Sequence, residues 1–388
     1  MNRLSKVIIC ALVLFAGSLA TLCYAAEAAA NDTRPATEIS WQPGETLVMM
    51  VGVLTWQDTS LATYTAENRY DQKLYGILRQ RGVPAENIVF LKDKKATLAA
   101  IRRSLEKLLA LSNERSTFMF YYTGHGEKSE DGSETFFLNY DCNTESLGQS
   151  SFSLSEMAKT LKSKFKGKQV ILTADCCYSG NLNRVADTLG TAAINTMVLS
   201  SATAANESTG EWTFTKSLNE ILNGTPLMKI DNLEITASAA ADYIAHNMAY
   251  AEMQLANYHL TPRFPAKFVL TRLKAAIGKN KPSLGKYMIA TDDGEEYKVR
   301  IIDQNGKACK ISYVSLDGEP DVWRDYANLK PISWKTWSVG SKIEVEWENE
   351  WYPARVLKKE GSFHYIRYDD HEEVWNEWVA FDRIRDRS

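Results

Sequence analysis

Apolar positions along this chain begin as continuous runs spaced by helical periods and end as short alternating segments. Residues 46–54 (TLVMMVGVL) form an unbroken apolar run, the pattern of a strand buried on both faces. Leu74, Ile77 and Leu78 then share one face of a helix predicted over 68–81, stopped by Gly82 and Pro84. Residues 88–91 read as a second strand. Thr97 is a cap for a helix that carries Leu98, Ile101, Leu105, Leu108 and Leu109 on one face. Residues 117–122 (TFMFYY), 169–174 (QVILTA), 196–200 (TMVLS) and 266–270 predict strands three to six. A hairpin over 135–139 and helices from Ser155, over 213–222 and over 234–256 fill the intervals. Strands alternating with helices over 46–272 predict an α/β domain with a mostly parallel sheet flanked by helices. In such sheets functional residues gather beyond the carboxyl ends of the strands.

After residue 275 the helical period fades and aromatic residues concentrate. Seven of the ten tryptophans lie between Trp323 and Trp378. The region also repeats. Residues 296–302 match 351–357, Gly306 matches Gly361, and 311–313 match 366–368, all at an offset of 55. Residues 322–326 match 374–378 at an offset of 52, with the difference placed in the turn at 317–320. Two tandem units of short strands predict two small β-barrels. The expected organisation is a leader at 1–25, a linker at 26–45, the α/β domain at 46–275, and barrels at 283–332 and 334–386. The Gly/Lys/Asn/Pro stretch at 278–282 suggests a module separable from the rest.

The leader reading rests on Arg3 and Lys6 ahead of an uncharged stretch at 7–26, with small residues where a signal peptidase cuts after Ala25. It predicts a secreted or periplasmic chain with no stable membrane span after cleavage, an uncleaved anchor being the alternative. Cleavage takes the net charge from −3 to −5 and leaves Cys142, Cys176, Cys177 and Cys309. Four cysteines cannot staple a fold of this size, so a thiol kept in an oxidising compartment needs a reason. Lys+Arg 45 against Asp+Glu 48 excludes a general nucleic-acid binder.

Two strand ends carry reactive groups. The third strand ends in Gly124-His125-Gly126, the fourth in Asp175-Cys176-Cys177-Tyr178-Ser179-Gly180. Neighbouring parallel strands end on one sheet edge, so His125 can face a cysteine 52 residues on. A thiolate nucleophile needs such a base, and glycine beside His125 lets backbone N–H groups approach a developing oxyanion.

These two motifs, with 78–91 (LRQRGVPAENIVFL) and 137–141 (FLNYD), resemble the caspase-like cysteine peptidases, in particular their metacaspase and orthocaspase branch. The resemblance covers about 46–272. It implies Cys177 as the nucleophile, with Cys176 a bystander, His125 as the catalytic histidine, and the Gly126 and Cys177 amides as the oxyanion hole. It implies Asp175 as an anion of the S1 pocket, with Thr123 beside it and Asp71 as a second acid shifted by one residue. Such a pocket favours Arg or Lys at P1; the competing use of Asp175 is to accept backbone N–H groups. The repeats resemble Tudor-like or chromo-barrel domains, whose aromatic cages hold methylated cations. Tyr352, Tyr368, Trp375 and Trp378 are the candidates, with Tyr297, Tyr313, Trp323 and Tyr326 in the first unit. Packing of tiny barrel cores is the competing use of these rings. The expected activity is an exported cysteine endopeptidase acting on protein or peptide. The alternative is a catalytically silent scaffold whose barrels bind. No cofactor or metal site is expected, although the resemblance leaves calcium activation open, and the oligomeric state is not readable.

Overall fold

Strand β1 (Thr46–Gly52) is buried along its whole length. Leu47, Met49 and Val51 enter one core while Val48 and Met50 enter the other, as a period of two requires of a strand covered on both faces. The computed structural model describes residues 40–65, 68–228, 233–274, 280–314, 316 and 319–387. The leader at 1–25 and most of the linker lie outside the described residues.

Helix α1 (Tyr70–Gln80) leads to β2 (Ile88–Lys92). Helix α2 (Leu98–Ala110) follows, capped by the Thr97 side chain, which accepts from the Ala100 N–H. Then come β3 (Thr117–Thr123) and an antiparallel flap of β4 (Gly126–Lys128), β5 (Thr135–Phe137) and β6 (Phe152–Ser153). Helix α3 (Leu154–Lys164), β7 (Gln169–Asp175), α4 (Leu182–Gly190), β8 (Asn195–Ser200) and α5 (Thr213–Asn223) follow. Strand β9 (Glu234–Thr236), α6 (Ala237–Glu252), β10 (Asn257–Leu260) and β11 (Val269–Arg272) complete the domain.

The main sheet runs β10-β8-β7-β3-β1-β2, with β10 its one antiparallel member. Helices α2, α3 and α4 cover one face; α1, α5 and α6 cover the other. The sixth strand departs from the sequence expectation. Residues 269–272 pair with β9 in a separate two-stranded ribbon, and the sheet's edge is Asn257–Leu260. An edge strand needs no continuous apolar run, so that segment carries no strand signature.

Two five-stranded antiparallel sheets follow, consistent with small barrels. The first contains β12 (Tyr287–Asp292), β13 (Glu295–Asn305), β14 (Ala308–Tyr313), β15 (Val322–Asp325) and β16 (Lys330–Pro331). The second contains β17 (Lys342–Trp347), β18 (Glu350–Glu360), β19 (Phe363–Tyr368), β20 (Glu377–Val379) and β21 (Ile384–Asp386). Their strand orders are identical, and even the bulges after Ile301 and Val356 correspond. The offset of 52 is corrected. Val322 pairs with Ile311 and Glu377 pairs with Ile366, so 55 holds throughout and Trp323 is the counterpart of Trp378, not of Trp375.

The repeats are not a detached module. In the first, the Tyr287 hydroxyl donates to Asn247 at 3.2 Å and Lys298 Nζ donates to the Ala251 carbonyl at 3.0 Å, both on α6. Arg300 reaches Tyr243 of α6 and Glu220 of α5. In the second, Trp378 N–H donates to Asn206 Oδ1 at 3.0 Å, and Asn206 Nδ2 returns a bond to the Trp378 carbonyl at 2.5 Å. Lys128 Nζ donates to the Val374 carbonyl at 3.2 Å. Buried aromatic and charged partners of this kind leave no local signature, so the intervening linker misled.

Candidate active site

The register of the main sheet sets Gly52, Thr123 and Asp175 side by side at its carboxyl edge. His125 and Cys177 each follow one of these ends by two residues. The chain between them is forced into close approach. A Cβ on Gly126 would lie 2.1 Å from the Cys177 carbonyl oxygen and 3.2 Å from Cys176 Sγ. On Gly124, at φ +146°, it would meet the Tyr122 hydroxyl at 2.7 Å and the Val53 carbonyl at 2.8 Å. Glycine flanks His125 because no side chain fits on either side. Gly126 faces Phe137 in the flap, and the Leu138 N–H bonds to the His125 carbonyl. That makes Gly126–Phe137 a non-hydrogen-bonded pair and leaves the Gly126 N–H outside the ladder.

His125 is held by the loop after β1. Its Nε2 lies 2.8 Å from the Ala62 carbonyl, and its Nδ1 lies 3.0 Å from the Tyr64 hydroxyl. A carbonyl only accepts, so Nε2 carries the proton; in the neutral ring Nδ1 is then the acceptor for the Tyr64 O–H. Trp56 packs on the imidazole with ring centroids 4.4 Å apart. Burial, and next the neighbouring Cys177 and Cys176 thiols, hold the Tyr64 hydroxyl well above its ordinary value, so it remains a donor. Tyr64 thus holds the unprotonated ring nitrogen of His125. The sequence reading passed over it because a loop tyrosine carries no motif.

Cys177 Sγ accepts the Ser208 N–H at 3.2 Å. Burial pushes its thiol up to about 11, with Glu207 and Glu127 adding to the effect and the Ser208 bond opposing it. Cys176 is buried in the core, its thiol raised further by burial, and its N–H donates to Ser201 Oγ. Cys142, Cys176, Cys177 and Cys309 are all free, and only Cys177 is partly exposed. Tyr178, at φ +56°, makes the sharp turn that ends the β7 edge.

Asp175 is 7 % exposed. Its Oδ2 accepts the Thr215 N–H at 3.2 Å and the Thr215 hydroxyl at 2.6 Å, near the start of α5. Burial raises its carboxyl to about 6, with the Thr215 and Ser201 bonds opposing. Thr123 is buried beside it. Asp71 is wholly buried and bound by the Arg69 guanidinium at 2.7 and 3.1 Å, in space left by the missing side chain of Gly52. The expected second pocket acid is thus paired within the chain, by a guanidinium that it shares with Asp93.

The aromatic candidates divide. Tyr352, Tyr368 and Trp375 line a cleft together with Trp347, which the sequence reading missed. Trp378 does not. Its ring lies against Tyr365, 5.4 Å between centroids, on another side of the repeat. The corrected offset explains the misplacement. In the first repeat Tyr297 meets Tyr313 edge-on at 5.8 Å, Trp323 is exposed, and Tyr326 packs on the core. Among the described residues no three His, Cys, Asp or Glu side chains converge as metal ligands.

The family model of the caspase domain, Peptidase_C14, matches residues 71–252. That stretch resembles a caspase domain, and both His125 and Cys177 fall within it. No curated protein matches significantly. A Geobacter sulfurreducens protein of known structure is 16% identical over 59% of this chain and 100% of its own, with a TM-score of 0.44. The Drosophila initiator caspase Dronc is 11% identical over 61% of this chain and 84% of its own, with a TM-score of 0.36. The tandem Agenet domains 3–4 of ADCP1 are 14% identical over 26% of this chain and 78% of theirs, with a TM-score of 0.13.

Proposed function

We propose that this chain is a cysteine endopeptidase of the metacaspase and orthocaspase type that cleaves after Arg or Lys. The observation that carries the reading is the forced approach of Gly126 to the Cys177 backbone at a shared sheet edge. Cys177 Sγ would attack the scissile carbonyl carbon as its proton passes to His125 Nδ1, and the Gly126 and Cys177 N–H groups would hold the oxyanion. His125 would return the proton to the leaving amine, and water would hydrolyse the thioester. The Ala62 carbonyl orients the ring for this through Nε2. In this resting arrangement Tyr64 occupies Nδ1 and burial raises the thiol, so proton transfer requires the tyrosine to move aside. Asp175 supports the basic preference as the remaining acid at the strand end.

A substrate-like acyloxymethyl ketone with Arg at P1 tests the assignment. It should label Cys177 in the full chain and leave Cys177→Ala unlabelled, while a peptide library should show Arg or Lys at P1. No labelling and no cleavage would favour the silent scaffold, a reading that the resting hydrogen bonds also accommodate. We further propose export to the periplasm or exterior, supported by Arg3, Lys6 and the uncharged stretch at 7–26; a mature protein beginning at Ala26 is the expected result of N-terminal sequencing.

A further inference from the structure

The cleft that gathers Tyr352, Tyr368 and Trp375 is not contained in the second repeat. It encloses about 510 Å³, and its opposite wall is peptidase: Glu127 and Lys128 from β4, with Tyr178 and Glu207. Lys128 stands two residues after Gly126, and Tyr178 is bonded to Cys177. Consecutive Cα atoms are about 3.8 Å apart, so the cavity begins within one residue of the proposed nucleophile. A bound substrate strand advances about 3.3 Å per residue, which brings side chains near the scissile bond within reach.

The wall has one chemical bias. Trp347, Tyr352, Tyr368 and Trp375 present rings, and Trp375 is 57 % exposed. Of its carboxylates, Glu377 is taken up by Arg383 at 2.7 Å and by the Tyr368 hydroxyl. Glu127, Glu130, Glu207 and Glu348 then face Lys128, the one lysine of the lining, with His371 beside it and Glu207 also accepting the Tyr178 hydroxyl. That lysine shows what the cavity suits: its ammonium sits 4.2 Å from the centre of the Tyr178 ring and donates to the Val374 carbonyl. Rings backed by carboxylates attract cations and repel acidic side chains. Neither domain alone provides both walls, so the docking of the repeat creates the site.

We propose that this interdomain cavity is a second substrate subsite, which receives a Lys or Arg side chain of the polypeptide a few residues from the scissile bond. The inference rests on the endopeptidase reading and gives the repeats a part in selecting the substrate. The enzyme would then prefer doubly basic sequences, one cation at P1 and one in the cavity.

The test uses the full chain and two readouts. Peptides with Arg at P1 and a second Arg scanned through flanking positions are compared with norleucine at the same positions. One flanking position should raise kcat/KM at least tenfold, equivalent to about 1.4 kcal/mol. Glu348→Gln and Tyr352→Ala should shrink that ratio. Glu348 is exposed in a turn, so its variant probes the charge with little demand on folding. Binding of the same peptides to Cys177→Ala, measured by calorimetry, needs no turnover and separates the two readings. Binding that favours the second Arg and weakens in Glu348→Gln upholds the subsite even if the wild type cleaves nothing. Equal treatment of Arg and norleucine at every flanking position, or an unchanged ratio in both variants, overturns it.

Discussion

Replacing Asp175 with Asn should stabilise this protein while impairing it. Burial holds the carboxyl near 6, against an ordinary 3.8, so the folded chain keeps a proton there that the unfolded chain has released. Between those two values the native state binds more protons, and stability must fall as pH rises through the window. Two units at about 1.4 kcal/mol each put the loss at about 3 kcal/mol, complete above pH 6 and absent below pH 4. Asn cannot ionise. Its Oδ1 can still accept from the Thr215 N–H and hydroxyl, which now bond to Oδ2 at 3.2 and 2.6 Å. Urea unfolding at intervals from pH 4 to 8 should therefore show wild-type stability falling by about 3 kcal/mol from this group, with the variant recovering most of that at pH 8. Its kcat/KM for Arg at P1 should drop by more than tenfold relative to a neutral P1, since the pocket anion is gone. A variant no more stable than wild type at pH 8 would refute the burial argument. One that cleaves after Arg unimpaired would refute the pocket role and leave Asp175 as an acceptor for the start of α5.

Cys177→Ala should abolish peptide cleavage, whereas Cys176→Ala, which trims a buried side chain of the core, should keep most of it and lower the Tm by a few degrees; equal loss of activity in both would remove the distinction. Tyr64→Phe frees His125 Nδ1, so iodoacetamide should label Cys177 several-fold faster at pH 7 than in the wild type. Slower labelling would mean that the tyrosine positions the imidazole rather than restraining it. Ending the chain near residue 278 uncovers Tyr243, Asn247 and Asn206, which now bond to the repeats. We expect a lower Tm and loss of discrimination among flanking residues, and a truncated chain as stable and selective as the whole would contradict the docked arrangement.

Local and periodic features were legible from the residues alone. The continuous apolar run at 46–54 carries the pattern of a strand covered on both faces and 169–174 that of a further strand, and the Thr97 cap marks the start of α2 because a side-chain oxygen there satisfies an N–H within one turn. Glycine on both sides of His125, and the Asp-Cys-Cys turn, pointed to one sheet edge because parallel neighbours end together. The 55-residue repeat was visible because both units set apolar or aromatic side chains at matching positions, as at Ile311 and Ile366 or Tyr313 and Tyr368. Tertiary contact decided the rest. Asp71 pairs with Arg69, two residues away, because the bare Cα of Gly52 admits the carboxylate. Tyr64 became the partner of His125 through a loop that crosses from another strand end. The cation cavity exists only where the second repeat meets β4 and Tyr178. Chain segments far apart in sequence create such groups by docking, and docking is written in shape and charge across the fold, not in the spacing of neighbouring residues.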